Sequence, residues 1–183
     1  MRVNKGLMIA ATFDPTKRTS LITVADMCRK IEENSISLPL YQRDISWTLQ
    51  KCIDLLNYQL WGKAPVSPIS INVINTVDSA VPQVSFIDRE IISTIERGQY
   101  SVVDGQQRLT TNYKAYCNHD DFRNIVLDLG KGEFTEVRDS IRSNQIPVGI
   151  LLNKEDTKLF EYTKAKSALG SADVLSVLLQ VRS

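Results

Sequence analysis

The sequence predicts an α+β fold, a small mixed sheet with packed helices followed by a C-terminal helical piece. Three observations carry this. Short alternating runs such as Ile69-Ser70-Ile71-Asn72-Val73-Ile74 have the period of half-buried strands. Longer stretches repeat apolar residues at helical spacing behind a Ser or Thr cap, as in Thr48 before Leu49, Cys52, Ile53, Leu56 and Leu60. Between them, Tyr100 to Thr111 runs from an apolar segment through Asp104-Gly105 into a helix-compatible one. It reads as strand, tight turn and helix start within twelve residues.

In order, residues 1–20 are mixed and turn-rich, with Asp14-Pro15 and Lys17-Arg18, and read as a loose arm. Thr23 caps a helix through about Glu33, and Asp26 three positions on nearly completes a capping box. Ile36-Ser37-Leu38 is a short strand stopped by Pro39, whose missing N–H suits a strand end. Ser46 or Thr48 caps the next helix, about 48–61, with Trp47 as a core or staple aromatic at its entrance; base stacking is its alternative. Strands follow at 69–74 and 84–87. Ile91, Ser93 and Ile95 alternate and form a hairpin into strand 99–103, with a helix over 88–96 as the alternative. The motif helix runs from Gln106 to Asn118, then a strand within 122–129 and a turn at Gly130-Lys131-Gly132. From Glu133 the pattern is helical, with segments at 154–168 and, behind Gly170 and Ser171, to the end of the chain. The domain division expected is an arm (1–20), a main domain (21–132) and a helical segment (133–183).

Composition excludes several classes. The 183 residues suffice for one domain with a sizeable core, and 43% hydrophobic with 23% charged residues is ordinary for a globular chain. A net charge of +1 supplies no global attraction to nucleic acid, so a DNA contact requires a local patch. Cys28, Cys52 and Cys117 are scattered and make no Cys-x-x-Cys pair, which suits buried thiols in a reducing compartment. His119, the single histidine, cannot furnish a zinc set or an imidazole-rich nuclease centre. No stretch has the length of a membrane span, and Met1 to Ala11 lacks a signal peptide's apolar core, so the expectation is a cytoplasmic protein without membrane contact.

The chemistry concentrates at Asp104-Gly105-Gln106-Gln107-Arg108. A helix N-terminus leaves amides unpaired and favours anions, and Gly105 lets the chain turn sharply or approach a ligand closely. Arg108 would project from the first helical turn, able to grip phosphate with two hydrogen bonds. Asp104 would repel a phosphate unless it held a metal ion or oriented a water. The plainer alternative is a turn pair with an Asp N-cap.

A second stretch accompanies it some sixty residues upstream: Pro39-Leu40-Tyr41-Gln42-Arg43-Asp44-Ile45-Ser46-Trp47. Together, in this order, the two resemble the N-terminal domain of GmrSD-type modification-dependent restriction endonucleases, within the wider ParB/sulfiredoxin-like fold, over about residues 20–130. Asn112 departs from relatives, which more often carry an apolar residue there. The resemblance implies a nucleotide- or phosphate-handling domain in a restriction or phage-defence system. By position, Asp104, Gln106 and Gln107 would act on the reacting water, Asp104 would hold Mg²⁺, and Gly105, Arg108, Tyr41, Gln42 and Arg43 would bind a nucleoside triphosphate. It further implies DNA and a separate nuclease domain or subunit as partners. The apolar last helix adds a homo-oligomer contact as an expectation. Binding of DNA backbone or a modified base without turnover, and ParB-like cleavage of DNA, are the rival expectations. For the former, Arg43, Lys51, Arg108 and Lys114 would have to share one face.

Overall fold

The computed structural model describes residues 21–43, 46–63, 68–77, 80–166 and 169–182. The expected arm (1–20) and Asp44 lie outside them. The elements are α1 (Val24–Glu32), β1 (Ile36–Pro39), α2 (Leu49–Leu60), β2 (Ser70–Val73), β3 (Gln83–Val84), β4 (Tyr100–Asp104), α3 (Gln106–Tyr116), β5 (Ile125–Asp128), β6 (Glu133–Glu136), β7 (Gln145–Pro147), α4 (Val148–Leu151), α5 (Asp156–Ala165) and α6 (Ala172–Arg182). The fold is mixed α+β, as its sequence predicts, but with two small sheets rather than one.

The first sheet has the order β2-β4-β1-β3. β1 runs parallel to β4, pairing Ile36 with Tyr100, while β2 and β3 are antiparallel to their neighbours. Ile36, Leu38, Val84 and Val102 point from one face into a core closed by Met27 and Ile31 of α1 and Leu109 of α3. The second sheet is antiparallel, β6-β5-β7. Its core joins Ile125, Leu127, Phe134 and Ile146 to Ile53 and Leu56 of α2, Ala115 of α3, and Leu151, Leu159 and Leu178 of α4, α5 and α6. α3 therefore serves both cores. Among the described residues no helix is long and apolar enough to cross a membrane.

The caps act as their sequence suggests. Thr23 Oγ1 accepts from Asp26 N at 3.1 Å, Thr48 Oγ1 from Lys51 N at 3.4 Å, and Ser171 Oγ from Val174 N at 3.3 Å. Two expectations require correction. Residues 88–96 form neither hairpin strand nor helix; only Ile91 bridges, to Val84, and β4 pairs with β2 and β1 instead. Nor is the chain helical from Glu133, because β6 and β7 flank β5 and complete the second sheet. Glu133-Phe134-Thr135-Glu136 has one buried apolar residue, enough for an edge strand covered on one side. α6, whose apolar residues cover most of its circumference and call for burial on several sides, fully buries Leu178 and leaves Val177 and Leu179 exposed.

Cys28 is buried between α1 and its neighbours, and burial first, then the nearby Cys117 thiol, pushes its pKa up to about 12. The thiolate is the nucleophile, so native Cys28 should resist iodoacetamide at pH 8 and react only once the chain unfolds. Mass-spectrometric footprinting with and without denaturant checks this, and rapid native labelling would contradict the burial.

Candidate functional site

β4 ends at Asp104, the chain reverses at Gly105 with φ of +96°, and α3 begins at Gln106. Glycine is required twice over. The left-handed backbone penalises any Cβ, and a Cβ here would stand 2.6 Å from Ile69 Cδ1 and 3.3 Å from Arg108 Nη2. Gly105→Ala should cost about 2–3 kcal/mol, most of it backbone strain because the Ile69 methyl can shift. A urea titration measures this. An unchanged midpoint would mean the turn is not held in this conformation.

Gly105 is also the N-cap of α3 and offers no side-chain acceptor. The positive end of the helix is thus uncapped by side chain, with Asp104 and Arg108 on either side. Asp104 is exposed and lies 3.6 Å from Arg108 Nη2, which also donates to Pro68 O at 3.2 Å. Arg108 is half-buried, its fork already positioned at the turn.

The two motifs meet as their shared order suggests. Gln42 Nε2 donates to Val103 O at 2.8 Å, one residue before Asp104. Arg89 Nη2 holds the Gln42 carbonyl at 2.7 Å. Buried Gln106 donates from Nε2 to Arg43 O at 2.9 Å, and Gln107 Oε1 accepts from Trp47 N at 3.4 Å. The glutamines thus fasten Gln42, Arg43 and Trp47 to the turn. Arg43 leaves its side chain exposed, with no ion pair among the described residues. Tyr41 is not brought to the turn. It lines a separate cleft against the far face of the first sheet. Trp47 packs partly on the second core, as expected of an aromatic at a helix entrance.

The four cations of a would-be DNA patch differ in availability. Arg43 and Lys51 are exposed, but Arg108 faces Asp104 and Lys114 is paired with Asp121. The Lys114 ammonium, hydrogen-bonded to Asp121, holds that carboxyl below its ordinary range. His119 caps the short 3₁₀ turn Asp120–Phe122, Nδ1 accepting from Asp121 N at 3.2 Å.

No group of three or more His, Cys, Asp or Glu among the described residues could hold a metal ion. A protein-built cage is therefore not offered at the turn. Asp104 fits the other mode, in which Mg²⁺ takes one carboxylate and draws its remaining ligands from phosphate and water.

Residues 24–175, from the start of α1 into α6, match the family described as GmrSD restriction endonuclease, N-terminal domain. No curated protein matches the chain.

Proposed function

From the premise that the chain belongs to the family of GmrSD restriction endonuclease N-terminal domains, and so to a restriction or phage-defence system, we propose that it is a nucleotide-binding sensor domain. The observation that supports this is the left-handed Gly105 at the head of α3, which leaves the helix without a side-chain cap between Asp104 and Arg108. First-turn amides and the helix dipole attract phosphate. The Arg108 fork supplies charge-assisted hydrogen bonds.

A phosphate arriving at Arg108 would displace Asp104 from its 3.6 Å contact. Asp104 would be the residue to hold Mg²⁺, which when bound would neutralise phosphate charge, or to align a water. Of the two glutamines, Gln106 is engaged with Arg43 O, so Gln107, held at 3.4 Å, is the one able to turn towards that water. Hydrolysis, where it occurs, would follow this division of roles. Arg43, exposed beside Gln42, would reach the same phosphates. DNA and a nuclease domain or subunit are the partners proposed with it.

Calorimetric titration with each nucleoside triphosphate and Mg²⁺, following phosphate release in the same samples, tests the reading. Arg108→Ala should weaken binding at least about tenfold through lost charge-assisted bonds. Asp104→Ala should bind while abolishing any release. Failure of folded wild type to bind any triphosphate would refute the proposal.

A further inference from the structure

We infer that Arg89 is a positioning residue for the turn: from a loop outside both motifs it holds the Gln42 carbonyl, and so keeps the Gln42–Arg43 segment docked beside Asp104 and Gly105. The phosphate role of that segment rests on the function proposed above; its docking does not. The need for such a residue begins at Pro39. β1 pairs with β4 only through Ile36 and Ser37, and Pro39, which has no N–H, cannot donate to a longer ladder. Further along, the Val102 and Val103 carbonyls accept from a side chain, Gln42 Nε2, at 3.3 and 2.8 Å. Beyond Pro39 the segment is therefore fastened to the turn by side chains rather than by strand pairing.

Arg89 supplies the hold from the other side. Its Nη2 donates to Gln42 O at 2.7 Å and reaches Leu40 O at 3.4 Å. One guanidinium nitrogen thus gathers the carbonyls on either side of Tyr41. The next carbonyl, Arg43 O, accepts from Gln106 of α3 at 2.9 Å. The segment is pinned between Arg89, which follows β3, and Gln106, which heads the motif helix. Gln42 uses its amide on β4, whereas Arg43 keeps its side chain exposed. Arg43 is then the residue that Arg89 sets in place for a phosphate.

The loop that carries Arg89 is well anchored. Ser85 N donates to Glu90 O at 2.9 Å and Glu90 N to Ser85 Oγ at 3.1 Å, which closes the chain around residues 86–89. Phe86 is buried in the first core and meets Tyr113 of α3 edge-on, with ring centroids 6.5 Å apart. The loop is thereby tied to the same helix that bears the turn. Arg89 itself has φ of +59°. Glycine or asparagine would adopt that backbone at less cost, so an arginine there implies a use for its side chain. Strain of this kind persists where the surroundings enforce it, and it clusters at working sites. The Leu40 and Gln42 carbonyls are that use.

The test compares the full wild-type chain with Arg89→Gly and Arg89→Asn, which accept the left-handed backbone but cannot reach the carbonyls, and with the conservative Arg89→Lys. Hydrogen exchange read by mass spectrometry follows the Leu40 and Gln42 amides, bonded to Pro82 O and Pro39 O. Calorimetry with Mg²⁺ follows the affinity for nucleoside triphosphates. In Arg89→Gly and Arg89→Asn those two amides should exchange about tenfold faster, the worth of one charge-assisted hydrogen bond. Melting should stay close to wild type, because relief of the backbone offsets the lost bond. Arg89→Lys should restore most of the protection. Triphosphate affinity should fall about tenfold in Arg89→Gly, and adding Arg43→Ala should cost little more, since Arg89 acts through Arg43. Exchange unchanged at Leu40 and Gln42, or raised throughout the first sheet with a lowered melting temperature, overturns the inference. Wild-type affinity for triphosphate in Arg89→Gly does so too, while leaving the proposed function intact. Faster exchange in Arg89→Gly, with no triphosphate bound even by wild type, would uphold the docking role and refute the phosphate reading.

Discussion

Gly149→Ala is expected to destabilise the protein by about 3 kcal/mol, as overpacking against backbone does. Gly149 is buried in α4, where that helix crosses Asn118 at the end of α3. An added Cβ would stand 2.0 Å from Asn118 Oδ1, 2.7 Å from its Cγ and 2.8 Å from its Cα. The first two contacts belong to a side chain that could swing away; the last belongs to backbone. Moreover Asn118 has φ of +53°, so it is itself fixed in the left-handed region that ends α3. The chain is clamped nearby, since Lys154 N donates to Tyr116 O at 3.0 Å. For a domain of this size the loss corresponds to a fall in Tm of about 6–12 °C. Adding Asn118→Gly should recover part of it, because glycine accepts the left-handed backbone while removing the side-chain contacts. A melt of Gly149→Ala within 2 °C of wild type, taken as about the reproducibility of such an experiment, would contradict the close approach of α3 and α4.

Asp128→Ala should cost about 3–4 kcal/mol, and it should also remove part of the protein's acid sensitivity. Asp128 is 3% exposed at the end of β5. Oδ2 accepts from Gln145 Nε2 at 2.8 Å, while Oδ1 accepts from Gly130 N at 2.9 Å, Lys131 N at 3.1 Å and Asn144 Nδ2 at 3.1 Å. One carboxylate thereby fixes the β5–β6 turn and fastens β7 alongside. The Gln145 hydrogen bond, followed by the Lys131 and Gly130 amides, holds its pKa below the ordinary value against the opposing effect of burial. A depressed folded pKa means the unfolded chain takes up the proton first. The stabilisation is then complete above the unfolded value of about 3.9 and is lost as pH falls through the lower folded value. Urea midpoints measured from pH 7 to pH 3 should fall in wild type and fall less in Asp128→Asn. Equal slopes would show that another carboxyl governs acid unfolding.

The helices were legible because each carries its own punctuation. Thr23, Thr48 and Ser171 announce α1, α2 and α6. The turn at Gly105 was legible for a related reason, since a glycine between a strand pattern and a helix pattern marks a sharp turn, and the backbone there is left-handed. β6 and β7 were not. Edge strands receive half their order from a neighbour, and Gln145-Ile146-Pro147 contains too little periodicity to be distinguished from a loop. The alternation of Ile91 and Ile95 misled in the opposite sense. Ile91 is largely exposed, and the segment is held by single contacts such as Ile92 N to Gln83 O at 2.9 Å. Asp128 carried no signal either, as a carboxylate that satisfies a turn and a neighbouring strand is recognised only by its donors. In the candidate site, sequence order brought Gln42 and Arg43 to the turn. The reach of Arg89 to the Gln42 carbonyl was invisible, because it exists only through the register of the four-stranded first sheet.

That register also sets when the site can exist during folding. β1 and β4 lie far apart in the chain, as the Ser37-to-Tyr100 hydrogen bond spanning 63 positions shows. Closing such a loop costs on the order of 4 kcal/mol of chain entropy before the pair returns any contact energy. The β5–β6 hairpin is local and free of that cost. The β1–β4 pair is therefore expected to zip late, and Gln42 with Arg43 reaches the Asp104 turn only with it. An excised peptide covering β4 and α3 would keep a helix start but lose the docked segment, so the site is a property of the closed chain.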